Sequence, residues 1–269
     1  MFSESPELGL LSLFSLISFF IFLVTNKFSF KIGRGVLLDA EFEKPQAFHK
    51  KVTPRSGGLA AIICLTLFFG FYFLIFEKFL FDYIFLSLFI FILGFLEDIK
   101  FKIKPNLRLL LMIIILFSFI ILFSITINGV DLYFLKVIIS KSNLFAFIFA
   151  LICFLFILNG SNLIDGFNGL LAIHLIIINL ILVFINFNNN HEDLALIIIS
   201  QIIILFSFLV FNFPNAKMFM GDRGSYLFGS LVAYNIINTN NANPEISSFF
   251  FCILLFYLFF EVFFSFFRK

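Results

Sequence analysis

The sequence predicts an all-α, polytopic transmembrane helix bundle, and three observations carry that expectation. Of 269 residues, 62% are hydrophobic and only 13% are charged, well beyond the roughly half-apolar composition of a water-soluble domain. The mean hydropathy of +1.12 comes from successive apolar runs, each near the ~20 residues that a helix needs to cross a bilayer. The longest link between runs is residues 27–56, so residues 1–269 read as one integral membrane domain with no soluble domain appended. Disorder and a disulfide scaffold are excluded, because no polar excess exists and Cys64, Cys153 and Cys252 all lie inside apolar runs. No basic cluster stands clear of apolar flanks, which excludes a nucleic-acid surface. The 49 Phe and the lack of Trp carry no functional weight.

Taken in order, the first run, 8–26, is too long for a signal peptide and lacks its basic start and small-residue cleavage site, so it reads as a retained span. A basic stretch containing Pro54 and Gly57-Gly58 leads into 57–76, and 79–96 then ends on Glu97-Asp98. After KFKIKPNLR comes 109–127, and the link INGVDLYFLKVIISKSN reads as an ordinary polar connection before 143–161. NGSNLIDGFNG turns the chain into 169–187, NFNNNHED separates that span from 194–213, and FPNAKMFMGDRGS precedes 224–238. NTNNANPE leads to the last run, 246–266, which makes nine spans.

Orientation follows the positive charges, which concentrate in cytoplasmic loops. With the amino terminus outside, 15 of the 18 Lys and Arg residues fall on inner segments, leaving Lys78, Lys136 and Lys141 outside. Every loop with unusual chemistry is then cytoplasmic, as an enzyme taking a water-soluble substrate from that side requires.

Four inner loops carry acids. In the first, residues 37–60, basic residues surround His49 beside Asp39, Glu41 and Glu43, and Gly57-Gly58 opens a helix whose backbone N–H groups could meet an anion. In the second, Glu97 and Asp98 stand side by side near Lys100, Lys102, Lys104 and Arg108; adjacent acids repel unless a cation or a proton uses them, or basic neighbours pair with them. In the third, Asn162, Asp165 and Asn168 recur at steps of three, which on a helical turn puts them near one face, although turns favour the same residue types. In the fourth, Asp222 sits among Gly221, Gly224 and Ser225 at a helix start, where it reads as an N-cap suited also to holding Mg²⁺ on a diphosphate. Acids and lysines on one face imply a hard-cation and phosphate site. No zinc spacing, nucleotide-binding glycine motif or nucleophile elbow appears.

KVTPRSGG, GFLEDIK, NLIDGFNG and KMFMGDRGS resemble, in order, the four inner-loop segments of the polyprenyl-phosphate N-acetylhexosamine-1-phosphate transferases. That family includes the phospho-MurNAc-pentapeptide translocase, and the likeness covers roughly residues 37–230. The resemblance implies transfer of a sugar-1-phosphate from a UDP-N-acetyl sugar to undecaprenyl phosphate, with release of UMP, in the bacterial inner membrane. It implies Mg²⁺, replaceable by Mn²⁺, as cofactor and allows a homodimer. Asp98 would deprotonate or position the lipid phosphate with Glu97 beside it, and Asp222 would bind the metal. Asn162 and Asp165 would line the nucleotide site, Asp165 within the catalytic set. Lys51 would contact phosphate, and Thr53, Asn168 and Lys217 would complete substrate binding. Three departures stand out. Glu97 replaces the usual first Asp of the pair. Asn168 replaces an acid found in many members, which leans toward an O-antigen or capsule-type enzyme. After Arg268-Lys269 the family continues into a basic, His-rich loop and another helix, so the alternative is a shortened, non-catalytic membrane protein that keeps the fold and binds UDP-sugar or lipid.

Overall fold

In the computed structural model, residues 6–29, 38–39, 52–98 and 104–268 are described. Among them the chain forms α1 (Pro6–Phe28), β1 (Leu38–Asp39), β2 (Thr53–Pro54), α2 (Gly57–Phe76), α3 (Phe81–Asp98), α4 (Pro105–Leu122), α5 (Tyr133–Lys141), α6 (Asn143–Ile164), α7 (Leu170–Asn188), α8 (Glu192–Asn212), α9 (Asp222–Ala242), α10 (Ser248–Leu254) and α11 (Phe256–Arg268). The helical choice follows from the solvent: in hydrocarbon each backbone group must be satisfied within its own segment. Local signals then set the ends. Pro105 opens α4, where its missing N–H is not needed; the Ser142 hydroxyl caps α6 by accepting from the Phe145 amide; Glu77 closes α2 in the left-handed region at φ 56°. The two short strands pair antiparallel, Asp39 opposite Thr53.

Eight of the nine expected segments each coincide with one helix and the ninth with two, but not all are alike. Six described helices are long and apolar enough to cross a membrane, and α10 with α11, bent by 60°, makes a seventh candidate. The protein is a multi-pass membrane protein. Two expectations need correction. The last segment is not one helix, since it breaks at Leu255 into α10 and α11. The link at residues 128–142 is not a plain polar turn, because α5 forms within it.

Helix α9 is the most polar of the long helices and occupies the middle of the bundle, packed mainly on α3 and α6 and also on α2 and α7. Almost every one of its residues is buried, so its surroundings are protein and its polar side chains find partners there. Tyr83 of α3 donates to Asn235 Oδ1 at 3.0 Å, and Asn235 donates to Gln201 of α8 at 2.8 Å. Asn186 of α7 donates to Thr239 at 2.8 Å. Such interhelical bonds hold helices together where lipid gives no hydrophobic drive. Close approach completes the packing: a Cβ on Gly94 of α3 would stand 2.3 Å from Arg223 Cα, a distance only glycine avoids.

Candidate active site

The start of α9 is where the chemistry-bearing segments meet. The chain ahead of it, residues 213–221, is latched by main-chain bonds: Phe219 N–H donates to Pro54 O at 2.8 Å, while Gly57 and Gly58 N–H donate to Phe219 O and Met220 O, each at 2.9 Å. The glycine pair is therefore not the anion cradle expected of it, because both amides are consumed by this latch. Gly58 is needed for proximity instead, since a Cβ there would lie 2.7 Å from Gly224 N. Gly221, at φ 74°, is the N-cap of α9, a conformation that suits glycine. This corrects the N-cap reading of Asp222, which is the first residue inside the helix. There its negative charge still meets the positive end of the helix dipole.

From α6, Asn162 Nδ2 donates to Asp222 Oδ1 at 2.8 Å and to Ser225 Oγ at 2.9 Å, and Ser225 Oγ donates back to the Asp222 carbonyl at 3.2 Å. Two motifs 60 residues apart in sequence are joined by this contact. Asp165 caps the end of α6 one turn beyond Asn162, its N–H reaching Asn162 O at 3.4 Å.

The step-of-three pattern does not extend to Asn168. The helix ends at Ile164, and Asn168, exposed in the turn that follows, donates to Pro214 O at 3.0 Å. It braces one loop against the other. Buried Asn212 does the same from α8, accepting from Gly169 N–H at 2.5 Å and donating to Met218 O at 2.9 Å.

Helix α3 arrives through Gly94, which packs on the Asp222–Arg223 backbone. Asp98, its last helical residue, lies four positions on and so on the same helix face. The side chains of Glu97 and Asp98 lie outside the described residues, as do Lys51 and His49. Thr53 is buried in β2. The Lys217 side chain is exposed at the rim while its N–H holds Phe211 O at 2.8 Å.

Sequence reasoning missed three participants. Ser225 shares the Asn162 amide with Asp222. Arg108, half-buried in the first turn of α4, lies over the Tyr226 ring at 5.9 Å and brings positive charge to this end. Arg223 is fully buried, donates to the Arg55 carbonyl and lies 5.2 Å over Phe95, so it locks the α9 start to the first inner loop and to the end of α3 rather than marking a membrane surface. One signal was present for Arg223: a cation inside a glycine-rich segment beside an acid is poorly placed for anchoring lipid.

Residues 80–240 match the sequence model of glycosyl transferase family 4. The phospho-N-acetylmuramoyl-pentapeptide-transferase of Dictyoglomus turgidum is 32% identical over 231 residues, covering 83% of this chain and 73% of the relative. The protein of the same name from Dictyoglomus thermophilum is 31% identical over 237 residues, covering 84% and 73%. Its namesake from Streptococcus mutans is 43% identical over 75 residues, 28% of this chain and 22% of the relative. Six apolar helices and bacterial relatives identify a multi-pass protein of the bacterial plasma membrane. The matched stretch takes in the α3, α6 and α9 segments that meet at one end of the bundle, and the chain belongs to glycosyl transferase family 4.

Proposed function

We propose that this chain transfers a sugar-1-phosphate from a UDP-N-acetyl sugar to undecaprenyl phosphate and releases UMP, initiating a lipid-linked surface glycan. The observation that carries the reading is the Asn162–Asp222 contact, which joins two of the loop motifs at one end of the bundle. That end is taken as cytoplasmic, because Lys27, Arg55, Lys104, Arg108, Lys217 and Arg268 lie on segments there while Lys78, Lys136 and Lys141 lie on segments at the other end.

In the proposed reaction an oxygen of the lipid phosphate bonds to the sugar-bearing phosphorus. The bond from that phosphorus to the bridging oxygen breaks, and the oxygen leaves with UMP. Little covalent work falls to the protein, so positioning and charge dominate. Asn162 fixes the Asp222 carboxylate by donating to it. Arg108 and Lys217 add positive charge for the diphosphate, and Asp98, at the end of α3, positions or deprotonates the lipid phosphate.

The donor set fits Mg²⁺ or Mn²⁺. Asp222 offers carboxylate oxygens, its neighbours Asn162 and Ser225 offer amide and hydroxyl oxygens, and neither thiol nor imidazole is among these three. Among the described residues no group of three or more His, Cys, Asp or Glu could hold a metal, so Asp222 would bind the ion together with substrate oxygens and water, the usual Mg²⁺ arrangement. When bound, the ion neutralises charge on the phosphates brought together.

The test is UMP release by the full chain in lipid nanodiscs with undecaprenyl phosphate, Mg²⁺ and a panel of UDP-sugars. The panel runs from UDP-N-acetylglucosamine to UDP-N-acetylmuramoyl-pentapeptide, the class of substrate in the relatives' name. The O-antigen or capsule assignment rests on Asn168 alone, and the panel decides it. We expect turnover with at least one member, and a fall of about a hundredfold or more in Asp222→Asn, since several kcal/mol of charge stabilisation would go with the ligand. Silence from folded protein across the panel would overturn the proposal and favour the non-catalytic alternative.

A further inference from the structure

Helix α5, Tyr133–Lys141, buries none of its nine residues. Leu135, Val137 and Ile139 are half-buried and α5 touches α6, but helices shorter than about 12–15 residues are marginal in water and depend on packing of an apolar face, and the exposed apolar side of α5 is left to something outside this bundle. Its exposed residues say what kind of surface that is. Phe134 and Ile138, four apart and on one face, are 60% and 40% exposed, and Tyr133 at the first turn is 82% exposed. Lys136 and Ser140, also four apart, share the opposite face, and Lys141 closes the last turn.

Both ends of α5 are pinned at one level of the molecule. Just before it, Asp131 Oδ2 accepts from Ser247 Oγ at 2.6 Å and from Ser248 N–H at 2.7 Å, tying the segment to the start of α10. Just after it, Ser142 is the cap of α6, a helix long and apolar enough to cross a membrane. Residues Asn143 to Ile164 therefore enter the hydrocarbon directly from the end of α5, which sets α5 at the boundary of the apolar layer, at the end of the bundle away from Asp222.

We infer that α5 is a membrane-surface anchor. Its Phe134–Ile138 face sinks into the boundary between headgroups and acyl chains of the surrounding bilayer, and Lys136 and Lys141 meet lipid phosphates. Amphipathic helices of this kind bury their apolar face about 5–10 Å into that boundary. Occupancy by lipid also accounts for Tyr133, whose ring is apolar and whose hydroxyl is wet, the combination enriched at membrane interfaces.

The chain contains no tryptophan, so one introduced indole reports only its own site. Phe134→Trp and Ser140→Trp are placed singly in the full chain and reconstituted in phosphatidylethanolamine–phosphatidylglycerol vesicles, with lipids brominated near the headgroup or deep in the chain. For Phe134→Trp we expect blue-shifted emission, quenched about twofold more by the shallow bromine than by the deep one, as interfacial depth requires. Ser140→Trp should stay solvent-like and open to acrylamide. Solvent-like emission from Phe134→Trp overturns the proposal. So does protection from both brominated lipid and acrylamide, which would assign the face to protein contact with a second copy of the chain. Both positions are exposed, so neither variant disturbs the bundle interior.

Discussion

The two ends of α9 are fastened by different parts of the chain. At its start, main-chain bonds form the latch: Gly57, Gly58 and Phe219 pair backbone to backbone, Gly94 and Gly58 let helices touch without side chains between them, and Asn168, Asn212 and Arg223 add braces to main-chain carbonyls and amides. At its far end, side chains do it. Asn241 accepts from Asn128 N–H and donates to Thr126 O, Asn243 Oδ1 accepts from Asn189, and His191 meets Ala242 O. Nearby, Tyr72 and Lys78 both engage Asp193, and Asp131 gathers Ser247 and Ser248. With the loops held largely through main-chain atoms, the Asn162 and Asp222 side chains at the start are left to each other and to Ser225, whereas the opposite end spends its polar side chains on fastening its loops. The comparison explains why Asp222 and Asp193, acids at opposite ends of the bundle, belong to different kinds of environment.

The sharpest way to break this picture is Gly94→Ala. The new methyl would meet Arg223 Cα, which cannot swing aside, and overpacking of this kind costs about 1–3 kcal/mol or more. Thermal unfolding in detergent should show the largest loss of any single substitution considered, and an unchanged melting temperature would deny the close approach of α3 to the start of α9. Next in size is Asn212→Ala, which removes the partner of both Gly169 N–H and Met218 O. Leaving buried groups unpaired costs about 1–3 kcal/mol; hydrogen exchange at residues 165–170 should accelerate, and KM for the UDP-sugar should rise more than kcat falls.

At the far end effects should shrink. Lys78→Ala breaks an ion pair whose side chains are 60% and 57% exposed, a class of contact worth about 0.2–1 kcal/mol, so melting should move little and UMP release not at all. The smallest effect is pH-dependent. Hydrogen bonds from Ser247 and Ser248 hold the Asp131 carboxyl below its ordinary value of 3.8. A carboxyl depressed in the folded state lends stability that is complete above its unfolded value and is lost as pH falls through the folded one. Protection of the α10 start against exchange should therefore weaken only below about pH 4, and Asp131→Asn should flatten that dependence.

The fold class and the approximate position of nearly every helix were legible because apolar length is a local property that lipid reads directly. The loop segments were legible for a similar reason: GDRGS and NLIDG hold their chemistry in a few contiguous residues. What escaped depends on distant partners. Nothing near Asn212 in sequence marks it as the clasp on Gly169, and Asn168 reads as a neighbour of Asp165 until the end of α6 at Ile164 turns it toward Pro214. The break at Leu255 and the short α5 likewise reflect tertiary surroundings rather than periodicity.

Helix α9 carries one further consequence, for assembly. With Ser230, Asn235, Thr239 and Asn240 along it, it cannot rest in hydrocarbon by itself, because polar side chains without partners are costly there. Its hosts α2, α3, α6, α7 and α8 all precede it in the chain. Synthesis from the amino terminus therefore builds the chamber before delivering the occupant, and a polar helix enters a protein lining that already exists.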